Sequence, residues 1–381
     1  MTQREKEIYQ MIVENPMISQ KELAEKMGIM RSSVAVHISN LIAEGVLKGR
    51  GYIIAEQNRP LVIGASNVDF FCNINRSGNT AATENCRYLD AQFEISYGGI
   101  AKNVAEGLVR LGSAPMFITA VGHGLLGQEI VRDCQEANIS TSDIMLFGEP
   151  TAAYLEVWDP LGEKSMIALA NSDIYNSLSP ENLINKRYAF NHASLVLMED
   201  TLPIETLQFL SSTYAKNQPM LLCTYPERTE KYQSFIEQFC FVIMSDEIAF
   251  SLLKQQWHPS ISDGDVIRAC KELHRIGLTG ILIVFGGSGM CYVKNNHGFL
   301  AHFNVDYCEG DSSYIHCRDT IASSVIKSFE DNLCASELLH NAAAARYLVS
   351  QTKQFVCKSL CPSLITSTRE KGRLTIAEFE L

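Results

Sequence analysis

No CxxC pair, no apolar run long enough to cross a bilayer, no internal repeat and no low-complexity tract occur in this sequence, and positive charge is in deficit. Each absence excludes something. The 12 cysteines are scattered, without the paired spacing of a zinc site, and follow no cationic leader ending in small residues. Reduced thiols in a cytoplasm are therefore expected. Apolar stretches such as ILIVF at 281–285 fall far short of the roughly 18 residues of a membrane helix, so no membrane partner is expected. With 32 basic and 43 acidic residues the net charge is −11. That balance repels nucleic acid overall and confines any DNA contact to a local patch.

Core material, by contrast, is ample. The 381 residues are 46% hydrophobic, enough for two globular domains. A break near AEQNRP (residues 55–60) separates a short helical segment from the apolar run LVIGA, which places a first domain at 1–56, a linker at 57–60 and a second domain at 61–381. In the first, REKEIYQMIVENP, SQKELAEKMG and RSSVAVHISNLIAEG carry apolar residues at helical spacing (Ile8, Ile12; Leu23, Met27; Val34, Ile38, Leu41, Ile42) and predict three helices. Ser19 and Ser32 are suited to cap the second and third, and Gly28 and Gly45 to end them. VLKGRGYIIAE then reads as two strands around a basic glycine turn.

That order resembles a winged helix-turn-helix domain with a recognition helix at 31–44. Residues 1–56 hold seven basic and seven acidic side chains, but residues 31–55 carry a net charge of +2, the local patch that DNA requires. Arg31, Ser32, Ser33, His37 and Asn40 are expected to face the major groove, with Lys48 and Arg50 on phosphates. A protein-interaction module is the alternative. Two such heads on a two-fold axis would match a palindromic operator, so a homodimer is expected.

Beyond residue 60 short apolar runs alternate with amphipathic helices. LVIGAS, MFITAV, SLVLMED, PMLLCT, FVIMSD and ILIVFGG read as buried strands. Between them lie helical stretches such as GLLGQEIVRDCQEANI and DVIRACKELHRIG, an α/β pattern with a largely parallel sheet whose ligands gather at the C-terminal strand ends. FFCNINRS, AQFEISYG and TAAYLEVWDPLGEKSMIALA alternate polar and apolar residues and predict a small antiparallel sheet laid over the site as a lid. In VIGASNVDF a strand end delivers Asn67 and Asp69, a carboxylate suited to accept from vicinal hydroxyls. In GGIAKNVAEGLVRLG, Gly98 and Gly99 permit close backbone approach before a helix carrying Lys102 and Asn103.

VIGASNVDF, GGIAKNVAEGLVRLG and IVFGGSGM, followed by a segment around Asp319 and then HNAAAARYL, occur in the order found in ribokinase-like (PfkB) carbohydrate kinases. The lid stretch resembles the pseudouridine-kinase-like branch. The resemblance implies a three-layer α/β sandwich with a β-sheet lid, a sugar or nucleoside held by Asn67, Asp69, Gly98, Gly99, Lys102 and Asn103, and a nucleotide near Asp246, Gly286, Gly289 and Asn341. Asp319 then stands as the general base at a helix mouth, with His316, Cys317 and Arg318 in place of the family's glycine anion hole. Gly310 and Asp311 in CEGDSSY offer a rival register, which makes the following helix about two turns too long.

Several positions depart from the family pattern. Asp246 and Ala249 replace an Asn-x-x-Glu, so the metal ligand is unassigned. Val284 replaces a threonine, and His123 with Gly124 an acidic pair. Two functions follow. One is an ATP- and magnesium-dependent sugar or nucleoside kinase fused to a DNA-binding domain. The other is a transcriptional regulator in which a kinase-derived domain binds the sugar or nucleoside as effector.

Overall fold

The computed structural model describes residues 1–16, 18–47, 59–75, 81–83, 86–88, 90–159, 161, 164–224, 226–294, 296–304, 314–352 and 354–381. Three helices open the chain: α1 (Gln3–Glu14), α2 (Gln20–Met27) and α3 (Arg31–Ala43). Thr2 and Ser19 cap the first two in reciprocal boxes with Glu5 and Glu22, each hydroxyl accepting the glutamate N–H while the carboxylate takes the cap N–H. Gly28, with φ of 61°, ends α2 in the left-handed conformation. The third cap differs from expectation. Met30 occupies it without a side-chain hydrogen bond, so Ser32 and Ser33 lie inside the helix. Ile8, Ile12, Leu23, Val34, Ile38 and Leu41 close a small core of their own, whereas Ile42 is 42% exposed and takes no part in it. Val46 and Leu47 at the start of the expected wing are buried in that core, and the rest of the wing, with Lys48 and Arg50, lies outside the described residues.

The remaining elements, in chain order, are β1 (Arg59–Ile63), β2 (Asn67–Ile74), β3 (Ala81–Thr83), β4 (Cys86–Tyr88), β5 (Ala91–Gly98), α4 (Ile100–Arg110), β6 (Met116–Gly122), α5 (Leu125–Glu136), β7 (Ile144–Phe147), β8 (Ala153–Trp158), β9 (Lys164–Ala170), α6 (Pro180–Leu183), α7 (Arg187–Asn191), β10 (Ala193–Glu199), α8 (Ile204–Tyr214), β11 (Met220–Cys223), β12 (Phe241–Ser245), α9 (Asp246–Leu252), α10 (Asp263–Arg275), β13 (Gly280–Phe285), β14 (Gly289–Lys294), β15 (His297–Asn304), α11 (Tyr314–Glu330), α12 (Ala335–Ser350), α13 (Pro362–Lys371) and β16 (Arg373–Glu380). Arg59 and Pro60, expected in the linker, open the first strand. Ten strands form one sheet in the order β16-β15-β14-β13-β12-β11-β10-β1-β6-β7. From β13 to β7 the pairs are parallel, and β13, β14, β15 and β16 join antiparallel. Every apolar run expected to be a buried strand is one.

Strand order sets the position of the site. The chain leaves β1 for β6 on one side and later returns to β10 on the other, so a crevice opens at the C-terminal ends of β1 and β10. A second sheet, ordered β5-β2-β8-β9, covers it. The lid was expected to be antiparallel, but β2 and β8 pair in parallel. Nearly eighty residues and four core elements, α4, β6, α5 and β7, separate the end of β2 from the start of β8, and no hairpin turn forces opposite directions. Beneath the lid α4 and α11 lie in close contact. A Cβ at Gly107 would stand 2.3 Å from Ser323 Oγ, and that hydroxyl bonds Val104 O at 3.1 Å. Among the described residues no helix is long and apolar enough to cross a membrane.

Candidate functional site

β1 ends in Gly64-Ala65-Ser66, and the chain turns sharply into the first lid strand, so Asn67 and Asp69 project where the two sheets meet. Asp69 is buried, accepting from Asn67 Nδ2 at 2.5 Å and from Ser96 Oγ at 3.4 Å. Burial pushes its carboxyl up to about 7, against the lowering effect of the Asn67 hydrogen bond and of the Lys102 charge. The two glycines have different reasons. A Cβ at Gly98 would stand 2.2 Å from Asp69 Oδ2, and at Gly99, where φ is +97°, one would stand 2.6 Å from Ala65 O. Only glycine lets β5 pass this close and turn into α4.

From α4, Asn103 points across the crevice and donates to Asp319 Oδ2 at 2.9 Å. Asp319 also accepts from Arg318 Nε at 2.8 Å, and both members of that pair are 2% exposed. Asn67, Asp69, Gly99, Asn103, Arg318 and Asp319 therefore line one cavity of about 220 Å³. Tyr154 and Leu169 from the lid, with Phe355, form its apolar wall.

Three expected site residues turn elsewhere. The Lys102 ammonium bonds Glu106 at 2.7 Å, Asp133 at 2.5 Å and Tyr97 O at 2.9 Å. These carboxylates hold its pKa above the usual lysine range despite the opposing effect of burial. It thus lines an adjoining cavity of about 280 Å³. His316 Nε2 lies 3.1 Å from Val349 O, and Cys317 Sγ bonds Arg346 O at 3.7 Å, so both side chains face α12.

The helix mouth is also corrected. α11 begins at Tyr314, five residues before Asp319. Arg318 and Asp319 consequently stand beyond the first turn, where each N–H is bonded to the carbonyl four residues earlier and none is left to cradle an anion. His316 and Arg318, with Cβ atoms where the resembled turn has its two glycines, continue a helix instead of forming a nest. Asp319 is not a helix cap, and among the described residues no anion hole precedes it. The rival Gly310 and Asp311 lie outside the described residues.

The expected nucleotide side is scattered. Asp246 opens α9 and accepts its neighbour's N–H at 3.0 Å, while Ala249 is buried. Gly286 and Gly289 form the β13-to-β14 turn, but the contact there comes from buried Arg346. Its guanidinium donates to Phe285 O at 3.3 Å, to Gly289 O at 3.0 Å and to Gly286 O. Asn341 accepts from Arg369 of α13 at 3.0 Å. No cluster of three or more His, Cys, Asp or Glu able to hold a metal occurs among the described residues. Among the described residues this phosphate side does not fit the arrangement implied by the resemblance.

Glu199 was missed. It ends β10, is fully buried, and accepts from the N–H groups of Ala65 and of Ala101 at 3.2 Å, tying β1 to the start of α4. Burial pushes it up to about 7. The signal was available: SLVLMED ends a buried strand in a carboxylate at the crevice. Arg346 gave no such signal, sitting unmarked in the alanine-rich helix.

An α/β sandwich with a sheet lid over a carboxylate-lined cavity at the strand ends defines the class of fold to which this domain belongs. Residues 59–305 match the model of the pfkB family carbohydrate kinases, and residues 1–48 match that of winged helix-turn-helix DNA-binding domains. The chain belongs to the pfkB family. An uncharacterized sugar kinase of Escherichia coli is 28% identical over 83% of this chain and 86% of its own length, and the pseudouridine kinase of that organism is 22% identical over 62% and 73%. The carbohydrate kinase of Agrobacterium tumefaciens superposes with a TM-score of 0.70 at 17% identity, covering 84% of this chain and 100% of that one. The ribokinase of Arabidopsis thaliana, solved with ribose and ATP, has a TM-score of 0.66 at 15% identity over 83% and 99%.

Proposed function

We propose that this chain is a cytoplasmic DNA-binding regulator whose pfkB domain takes a sugar or nucleoside as effector in the Asp69–Asn103–Asp319 cavity. The observation that carries the reading is the buried Arg318–Asp319 pair on an unbroken helix. A general base must be free to accept the acceptor hydroxyl's proton, but both Asp319 oxygens are already engaged, Oδ1 by Arg318 at 2.8 Å and Oδ2 by Asn103 at 2.9 Å. The substrate half keeps its chemistry. Asp69 accepts hydrogen bonds from hydroxyls, Asn103 orients, and the lid excludes water from both. Two copies join through the lid, whose Phe93, Ile95 and Met166 are each more than half exposed.

The second reading is an ATP- and magnesium-dependent kinase. Asp319 favours it, because this carboxylate shares the cavity with Asp69, as a base must with its substrate. A thermal-shift panel of sugars and nucleosides, with and without ATP and magnesium, separates the two, since a ligand of the folded state raises its stability by RT ln(1 + [L]/Kd). Stabilisation by a sugar or nucleoside without phosphorylated product supports the effector reading. Turnover abolished by Asp319→Asn replaces it with the kinase, and no stabilisation by any of them removes both.

A further inference from the structure

Which bases the N-terminal head reads follows from how α3 is rotated, and this inference rests on the DNA-binding reading above. Buried Glu5 on α1 fixes that rotation. Asn40 Nδ2 donates to Glu5 Oε1 at 3.0 Å, and His37 Nδ1 lies 3.5 Å from the same oxygen. Glu5 is itself anchored by its capping box with Thr2, and the Thr2 N–H and the Asn40 amide hold its carboxyl down at about 2. Asn40 and His37, expected as groove readers, are thereby committed to α1. Val34, Ile38 and Leu41 point inward to the core.

At about 100° per residue the direction opposite that stripe is shared by Ser32, Val36 and Ser39. All three are exposed, Val36 at 59%. The outer face thus presents one branched apolar side chain between two small hydroxyls, with Arg31 exposed at the helix entry. The occupant with the chemistry to meet it is duplex DNA, since residues 1–48 match a DNA-binding module. In the major groove only thymine offers an apolar group, its C5-methyl, while serine hydroxyls bond donors or acceptors alike.

We infer that Val36 packs on a thymine methyl in each half-site, with Ser32 and Ser39 on the flanking base edges. Asn40 and His37 set the helix orientation and read no base.

The test begins by enriching random duplex DNA on the full-length protein. Binding is then measured on the enriched duplex with each thymine replaced singly by deoxyuridine, which removes only the methyl. One position per half-site should weaken wild-type binding about fourfold, the value of one buried methyl group, and weaken Val36→Ala less than about 1.5-fold. Because Val36 is exposed, the alanine variant keeps its fold, checked by its helical circular dichroism. The inference is overturned if no uracil substitution matters to the wild type, or if Val36→Ala keeps the same uracil sensitivity. Failure to enrich any sequence overturns the DNA-binding reading together with it.

Discussion

Replacing Asp69 by asparagine keeps the shape of the side chain and removes a buried carboxyl whose pKa stands at about 7. In the unfolded chain the same group loses its proton near 3.8. Between those values the folded state holds a proton that the unfolded state does not. Stability from this group is therefore fully present below the lower value, falls as pH rises, and is lost above about 7. The gap is worth about 4 kcal/mol at most. Asp69→Asn should match the wild type near pH 4 and exceed it by up to about 4 kcal/mol at pH 8, because the new amide oxygen still accepts from Asn67. Both tryptophans, Trp158 and Trp257, lie in the pfkB domain, so their fluorescence during urea unfolding reports that domain alone. The stabilised variant should also lose the thermal shift that a sugar or nucleoside gives the wild type, a trade of function for stability. A variant less stable than wild type at pH 8 would refute the burial argument. Undiminished ligand stabilisation would remove Asp69 from the site.

Three further outcomes are expected. Arg318→Ala should cost about 3–5 kcal/mol by leaving Asp319 buried without its cation, and adding Asp319→Ala should recover part of that loss; additive costs in urea unfolding would mean the pair is not coupled. Glu5→Gln should destabilise the head by about 1–2 kcal/mol through its cap and the Asn40 contact. Since Glu5 is held at about 2, its contribution should persist above 4.5 and fade as pH drops toward 2. Circular dichroism melts at pH 7 and pH 3 check the sign, which fails if the variant loses more at pH 3. Lys48→Ala with Arg50→Ala should reduce the slope of log affinity against log salt by about two on any bound duplex; an unchanged slope would take both residues off the phosphates.

The sequence alone determined the elements whose causes are local. Alternating β-branched and apolar runs made the sheet strands, Ser19 and Gly28 bounded α2, and Asn67, Asp69, Gly98, Gly99 and Asn103 marked the pocket because each sits in a contiguous motif at a strand end or helix start. What the tertiary structure decided depended on partners distant along the chain. α11 runs unbroken through Arg318 and Asp319 because no glycine interrupts it and its buried face packs against α4 and α12, and only that packing brings Asn103 to Asp319, 216 residues apart. Glu199 becomes a clamp only when β1 and α4 present their N–H groups to it, and Arg346 meets the Gly286 turn only across the sheet. The rotation of α3 is set by Glu5, 35 residues before Asn40. Periodicity separates the inner from the outer face of a helix, but a polar side chain at their boundary points wherever its hydrogen-bond partner lies, and folding alone supplies that partner.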